Sequence, residues 1–539
     1  MDDPIVTSQE SVETGRRDEH ERNVLTAARG AGITFVGKVV NNLLSLAFVF
    51  LLARWLGAEQ YGLYRLAVTV VVIVSGACML GMDAGIKRYI AIARKQRDKE
   101  RIKGVVQLGI GIPGLVSLVI SLIVLLLADP LCTHLFNSPA LIPVLRICTL
   151  AIPILVIAQS FSCIAMAYKR VEYDAYTQDI GMEAIKVALS FVGIMLGFGI
   201  MGVSIAYVAA AVIALIPLIY LVHRLFPLRG IFEPAERNTR EILGFSFPIF
   251  LSTMVNQFGR RLETLVLGMF SIVANVGIYS AMLSISSVGS IANIALRGIA
   301  TPIIAELHSQ GKIDDLRKFY QTITKWSMTF NLPVFLVILL FNENLLQILS
   351  PEFTVGAFGL IVLAFGNLFD ASTGVVGIMI SFTGHSKVTL YNSLAYLGAS
   401  IILDLWFIPK WGLVGAAWAG SLTIIIVNLL RLVQVYFLID RTSPFDRTYL
   451  KPLAAFGIAG AVTYALRGIV LVDHPLVQCI VLSLVMVGLY AFVVYKLKLS
   501  HEDKLVVERI WKGGFMKRRQ KKSRDETSVD GPDGQDNLE

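Results

Sequence analysis

Charged side chains are scarce in this sequence. Asp, Glu, Lys and Arg make up 16% of 539 residues, against about 25% in ordinary soluble proteins. Hydrophobic residues fill 55% of the chain, and the mean hydropathy is +0.68. These figures argue against a soluble globular protein and indicate a membrane protein. Cysteine is also scarce: Cys78, Cys132, Cys148, Cys163 and Cys479 are the whole complement. Four fall in apolar runs and Cys132 in a loop, with no CxxC and no Cys/His cluster, so neither a disulfide framework nor a metal site is expected. The seven histidines are scattered. There is no HExxH, no GxxxxGK(S/T) and no G-x-S-x-G, and the longest loop on the outer side is about fourteen residues. ATP hydrolysis, hydrolase chemistry and polymerase or glycosyltransferase activity are therefore disfavoured, and no cofactor is expected. The first apolar run follows about thirty polar residues without a signal-peptide layout, and reads as a retained spanning helix.

Long apolar runs are what the chain does have. With about twenty residues needed per crossing, fourteen spans are predicted: 32–53, 65–86, 105–128, 141–167, 180–198, 202–222, 243–269, 276–304, 326–346, 356–383, 388–408, 412–438, 450–470 and 476–495. If the N-terminus is cytosolic, the inner loops carry about 22 Lys and Arg and the outer loops about 4, a steep positive-inside bias. An even count puts both termini in the cytosol and the protein in the cell (plasma or inner) membrane. The net charge of +9 is explained by this topology rather than by nucleic-acid binding.

The chain repeats itself. Gly62-Leu63-Tyr64 opens span 2 and Gly277-Ile278-Tyr279 opens span 8. GIMGVSIA (199–206) opens span 6 and GLVGAAWA (412–419) opens span 12. The offsets, 215 and 213 residues, nearly coincide. The expected fold is thus all-α, a polytopic membrane protein of about fourteen helices with two six-helix lobes as parallel repeats plus two peripheral helices. The expected organisation is a cytosolic tail at 1–31, an N-terminal lobe at 32–224, a C-terminal lobe at 243–439, helices 13 and 14 at 450–495, and a basic then acidic tail at 496–539. That tail has an amphipathic stretch (500–516) and KRRQKK (517–522), either a contact with anionic membrane lipid or an ordinary flank.

An ionisable residue at bilayer depth costs about 2.5–3.5 kcal/mol on insertion scales, so it faces a cavity or a partner. Lys38, Asn41, Asn42 and Ser45 share a face of span 1. Thr253, Asn256, Gln257, Arg260, Arg261 and Thr264 form a face of span 7, with Glu263 beside them, where it either neutralises one arginine or serves ion coupling. Ser286, Ser290, Asn293 and Arg297 form a stripe on span 8. Glu183 and Lys186 pair with each other on span 5. Asp370, Asp404 and Arg431 are lone charges, each either an ion-coupling group or half of an inter-helix pair. The cationic set Lys38, Arg260, Arg261 and Arg297 favours a phosphate, pyrophosphate or acidic-sugar cargo, because the guanidinium fork donates two parallel hydrogen bonds.

LARWLGAEQYGLYRLA (52–67), LGMDAGIKRYIA (80–91), FNSPALIPVLRI (136–147), TGHSKVTLYNSL (383–394) and FIPKWGLVGAAWA (407–419) occur in order along the chain. In these segments, over about residues 30–440, it resembles the polysaccharide transporter (oligosaccharide flippase) family of the multidrug/oligosaccharidyl-lipid/polysaccharide exporter superfamily. The resemblance implies a two-lobed alternating-access transporter with a cavity lined by helices 1, 2, 7 and 8. It implies a lipid-linked glycan carried from the cytosolic to the outer leaflet, and a possible coupling cation, Na or H. Span 2 carries no stripe comparable to those on spans 1, 7 and 8. The alternatives are a cation-coupled multidrug exporter of the same superfamily, which would commonly carry a carboxylate in the N-terminal lobe, and a flippase for the peptidoglycan precursor.

Overall fold

The computed structural model describes residues 4–227, 235, 238–467 and 475–497, with side chains from residue 32 onward. The described residues are helical throughout apart from short turns. Among the described residues nine stretches are long and apolar enough to cross a bilayer. Two of these, Gly32–Cys78 and Lys387–Leu438, have 47 and 52 residues, about twice what one crossing requires. Each breaks once, at Gly57 (φ 78°) and at Gly412 (φ 51°). Glycine takes such a positive φ without steric penalty, so a single residue turns the chain where the sequence suggests a longer loop. Residues 54–64, expected to connect spans 1 and 2, are thus almost wholly helical. Counting the two halves separately and adding three shorter apolar helices gives fourteen.

We number them α1 (32–56), α2 (58–78, extended by Met82–Gln96), α3 (Lys99–Leu126), α4 (Leu141–Ala167), α5 (171–195), α6 (Gly199–Leu225), α7 (Thr239–Gly259 and Leu262–Phe270), α8 (Val273–Ser309), α9 (Ile313–Gln347), α10 (Pro351–Thr373, continued by Val376–Phe382), α11 (386–411), α12 (413–438), α13 (Leu450–Arg467) and α14 (Pro475–Lys496). The basic and amphipathic tail segments lie outside the described residues. The predicted loop cysteine Cys132 is buried in a short helical turn, and all five cysteines are buried and outside any disulfide.

The repeat has a direct structural signature. A Cβ on Gly62 would fall on the Val273 carbonyl oxygen, and a Cβ on Gly277 would fall on that of Ala58. A shift of 215 residues converts either contact into the other. This reciprocity is the mark of a two-fold related interface. It locks the starts of α2 and α8 together, backbone against backbone.

Around that lock one apolar cluster spans both halves of the chain. It includes Leu52, Tyr61 and Leu66 from α1 and α2, and Val276, Met282 and Leu360 from α8 and α10. Towards the face carrying the N-terminus the core divides. One cluster joins α2, α3, α4 and α6 with the start of α7, through Ile86, Val106, Ile164, Leu218 and Ile242. A separate one joins α8, α9, α10 and α12, through Ala300, Tyr320, Met379 and Val435. Val36 and Leu43 of α1 and Ile294 and Ile299 of α8 are exposed between them. The molecule is therefore closed on the opposite face and parted on the N-terminal face along α1 and α8.

Two polar contacts add to the closure. The Ala58 N–H donates to Glu352 Oε2 at 3.2 Å, and Arg54 donates to the Ile348 carbonyl at 3.2 Å. Each tethers the α1–α2 corner to the α9–α10 corner. A single hydrogen bond contributes about 0.5–1.5 kcal/mol net. Glu352→Ala is expected to raise the labelling rate of a Val273→Cys reporter, beside the Gly62 contact, by a few-fold, in a background lacking native cysteines. An unchanged rate would show that the tether carries none of the closure.

Candidate functional site

Arg260 and Arg261 do not sit on a regular helix face, as span 7 suggests. The helix stops at Gly259 and restarts at Leu262, with Arg261 at φ −123°, ψ 0°. The Arg260 N–H reaches back to the Asn256 carbonyl and the Arg261 N–H to that of Phe258. Broken helices are tolerated within a membrane where they border a water-accessible cavity or are buried in protein. Arg260 is exposed and Arg261 half-buried.

These two side chains join a larger set. Arg261 lies within electrostatic reach of Arg65 on α2, of Arg260 and of the Tyr207 ring on α6. Arg260 is likewise within reach of Arg431 on α12, which also senses Arg297, Asp370 and Tyr396. Five arginines from α2, α7, α8 and α12 thus converge from both halves of the chain. Arg297 is the one with an ion-pair partner, Asp370 Oδ2 at 2.9 Å, and Asn428 donates to the other oxygen of that carboxylate at 3.0 Å. Asp370 is accordingly half of an inter-helix pair. Among the described residues no carboxylate stands within ion-pair distance of Arg65, Arg260, Arg261 or Arg431. The Arg65 Nε is buried with no hydrogen-bond partner. Several like charges in a low-dielectric bundle attract an anion far more strongly than they would in water.

Arg65 is the residue that sequence reasoning missed. The predicted span 2 begins at residue 65, which makes Arg65 a boundary charge. The helix begins at 58, so Arg65 lies two turns inside. The second copy of the repeat carries Ser280 at the corresponding position.

Glu263 neutralises neither arginine. It is buried on the far side of α7, where Gly420 leaves room for its carboxylate and for the Tyr279 hydroxyl. There it lies within electrostatic reach of Asp404. Asp404 is fully buried rather than at a helix end, because α11 continues to residue 411. Its Oδ2 accepts from the Ser400 hydroxyl at 2.9 Å, and its Oδ1 has no partner.

The polar face of α1 is divided. Lys38 approaches Asp179 of α5 at 3.9 Å, and Asn41 donates to the Asp179 carbonyl at 2.7 Å. Asn42 and Ser45 instead face Ser284 and Ser287 across the cleft between α1 and α8. Asn256 bonds to the Ser252 carbonyl of its own helix, and Gln257 donates to the Val72 carbonyl of α2 at 2.9 Å.

The α8 stripe is interrupted by a 3-10 turn at Ser287–Gly289. Ser290 bonds back to Ser287. Asn293 is buried against α9, accepting from Ser327 at 2.6 Å and from Asn331 at 3.1 Å. Asn293 therefore serves helix packing, and of the stripe only Arg297 reaches the arginine set. Glu183 and Lys186 pair at 2.6 Å.

Among the described residues no group of His, Cys, Asp and Glu could hold a metal ion. The side chains that converge between the halves suit a multiply charged oxyanion.

Comparison with known proteins places the fold and the family. The family model described as polysaccharide biosynthesis protein matches residues 27–308, more than half of the chain. The probable low-salt glycan biosynthesis flippase Agl15 of Haloferax volcanii is 21% identical over 199 residues, 37% of this chain and 42% of that protein. The chain thus spans less than half of that relative's length. Stage V sporulation protein B of Bacillus subtilis (strain 168) is 20% identical over 473 residues, 82% of this chain and 89% of that one. Among solved structures, the lipid II flippase MurJ in an inward closed conformation superposes with a TM-score of 0.68 at 14% identity, covering 86% of this chain and 98% of that one. This likeness concerns the fold alone. With two halves related by a pseudo-two-fold axis and a family match over most of the first half and part of the second, the chain belongs to the polysaccharide biosynthesis protein family.

Proposed function

We propose that this multi-pass membrane protein is a flippase. It moves a lipid-linked oligosaccharide from the cytosolic to the outer leaflet by alternating access, for surface polysaccharide or glycoprotein synthesis. The observation that carries this reading is that Arg65 of one half lies within electrostatic reach of Arg261 of the other, beside Arg260, with no carboxylate within ion-pair distance of any of the three among the described residues. The cargo's pyrophosphate or phosphate would be held there by bidentate hydrogen bonds. Asn42 and Ser45 would line the way in from the N-terminal face, taken as cytosolic from the positive-inside bias, while Lys38 and Asn41 are held by Asp179 of α5. The cleft between α1 and α8 leaves room for the lipid chain to stay in the bilayer while the head group crosses. A cationic drug would be repelled by the same arginines.

The reading is tested in proteoliposomes loaded with a prenyl-pyrophosphate-linked oligosaccharide. Protein-dependent exposure of the glycan on the far leaflet is expected, and transport of a cationic dye is not. Dye transport without glycan transport would favour the multidrug exporter.

The buried pair of Glu263 and Asp404 is the proposed coupling site for Na or H. Both carboxylates are buried within electrostatic reach of each other, and among the described residues neither forms an ion pair with an arginine or lysine; buried charges of one sign require a cation or a proton. Glu263→Gln and Asp404→Asn keep the volume and remove the charge. Each is expected to abolish the response of transport to an imposed Na or proton gradient. A full gradient response in both variants would rule out coupling at this pair.

A further inference from the structure

Beside the arginines the structure holds a cavity of about 460 Å³ between α2, α4, α5, α6 and α7. Its size falls within the roughly 300–1,000 Å³ of small-molecule sites. The polar part of its wall comes from Ser75, Gln159, Gln178, Thr253 and Gln257. No lysine or arginine lines it, so a phosphate has nothing to bind there. Its one carboxylate, Asp83, stands 3.9 Å from Lys87. The Ser75 hydroxyl and the Gln178 amide nitrogen are buried without a hydrogen-bond partner, a state that costs about 1–3 kcal/mol per group unless a ligand or water relieves it.

We propose that this cavity seats the first sugar of the cargo, next to the phosphates held by the arginines. The inference rests on the flippase reading and adds a separate carbohydrate site to it. Three properties carry it. Carboxamides each offer a donor and an acceptor, which matches neighbouring sugar hydroxyls that both give and take hydrogen bonds. Phe250 and Tyr207 supply aromatic surface for the C–H face of a pyranose ring. Tyr207 is shared with the phosphate site, because it lies within electrostatic reach of both Arg261 and Arg65. A sugar joined directly to a phosphate on these arginines therefore has the cavity as its nearest neighbour. A neutral, purely apolar ligand would leave the Gln178 amide nitrogen and the Ser75 hydroxyl unsatisfied.

The test uses the full-length protein in nanodiscs and four probes: a short prenyl pyrophosphate alone, and the same carrier bearing glucose, galactose or N-acetylglucosamine. At least one sugar is expected to tighten binding about tenfold, the worth of one or two net hydrogen bonds. In Gln178→Leu, and independently in Thr253→Val on another helix, the bare and sugar-bearing carriers should bind alike. The proposal is overturned if none of the three sugars tightens binding, or if the gain persists in both variants. Failure of the flippase reading looks different: the bare carrier would then bind Arg261→Ala as tightly as wild type.

Discussion

Arg261→Ala is expected to weaken binding of a prenyl pyrophosphate about 10- to 100-fold and to stop glycan export, while the protein still reaches the membrane. Hydrogen bonds to charged groups contribute about 1.5–3 kcal/mol, and each 1.4 kcal/mol is a factor of ten in affinity. The loss should sit near the upper end of that range. Arg261 is half-buried at the break in α7, and among the described residues no carboxylate stands within ion-pair distance to be stranded by its removal. Arg65→Ala should behave the same way, because its buried Nε has no internal partner. Lysine is expected to restore only part of the binding at either position, since it keeps the charge and loses the planar fork. Asp370→Asn is a control of opposite sense. It frees Arg297 from its ion pair and should not weaken anion binding. Wild-type affinity in both Arg65→Ala and Arg261→Ala would show that the phosphate binds elsewhere.

The second large effect belongs to the glycines at the two-fold contact. In Gly62→Ala or Gly277→Ala the new methyl group meets a backbone carbonyl on the facing helix, not the end of a movable side chain. Relief requires α2 and α8 to separate. Each substitution penalises the state closed opposite the N-terminus, and in the proposed cycle the other state would part this contact and be spared. Transport by alternating access needs both states, so each variant should lose most of its transport. Labelling of the Val273→Cys reporter should rise at least tenfold, well beyond the effect of cutting the Glu352 tether, since a backbone clash costs more than one hydrogen bond contributes. Wild-type transport in Gly62→Ala would mean that the close approach is dispensable to the cycle.

Much of the fold was legible because bilayer thickness fixes helix length. Apolar runs of twenty-odd residues, separated by basic loops, leave little freedom, and the two Gly-x-Tyr openings at a constant offset marked the pseudo-symmetry. Connections of a single glycine were not legible. Gly57 and Gly412 look like ordinary membrane glycines in sequence, and only the positive φ shows that the chain reverses there. Placing a loop at residues 54–64 moved Arg65 to a helix end, and ending span 11 at residue 408 did the same to Asp404.

The site was legible in charge but not in pairing. A helical stripe reports which side chains share a face, not which neighbour that face meets. Asn293 and Arg297 follow one stripe, yet Asn293 is taken up by Ser327 and Asn331, and only Arg297 turns toward the arginines. Glu263 lies two residues from Arg261, but the break in α7 sends the two side chains to opposite sides.

The most direct measurement is a structure of the protein with a prenyl pyrophosphate bound, determined by electron cryomicroscopy. The account predicts phosphate density between the halves, within hydrogen-bonding distance of Arg65 and Arg261. Phosphate density elsewhere, or guanidinium groups turned away from it toward lipid, would contradict the account.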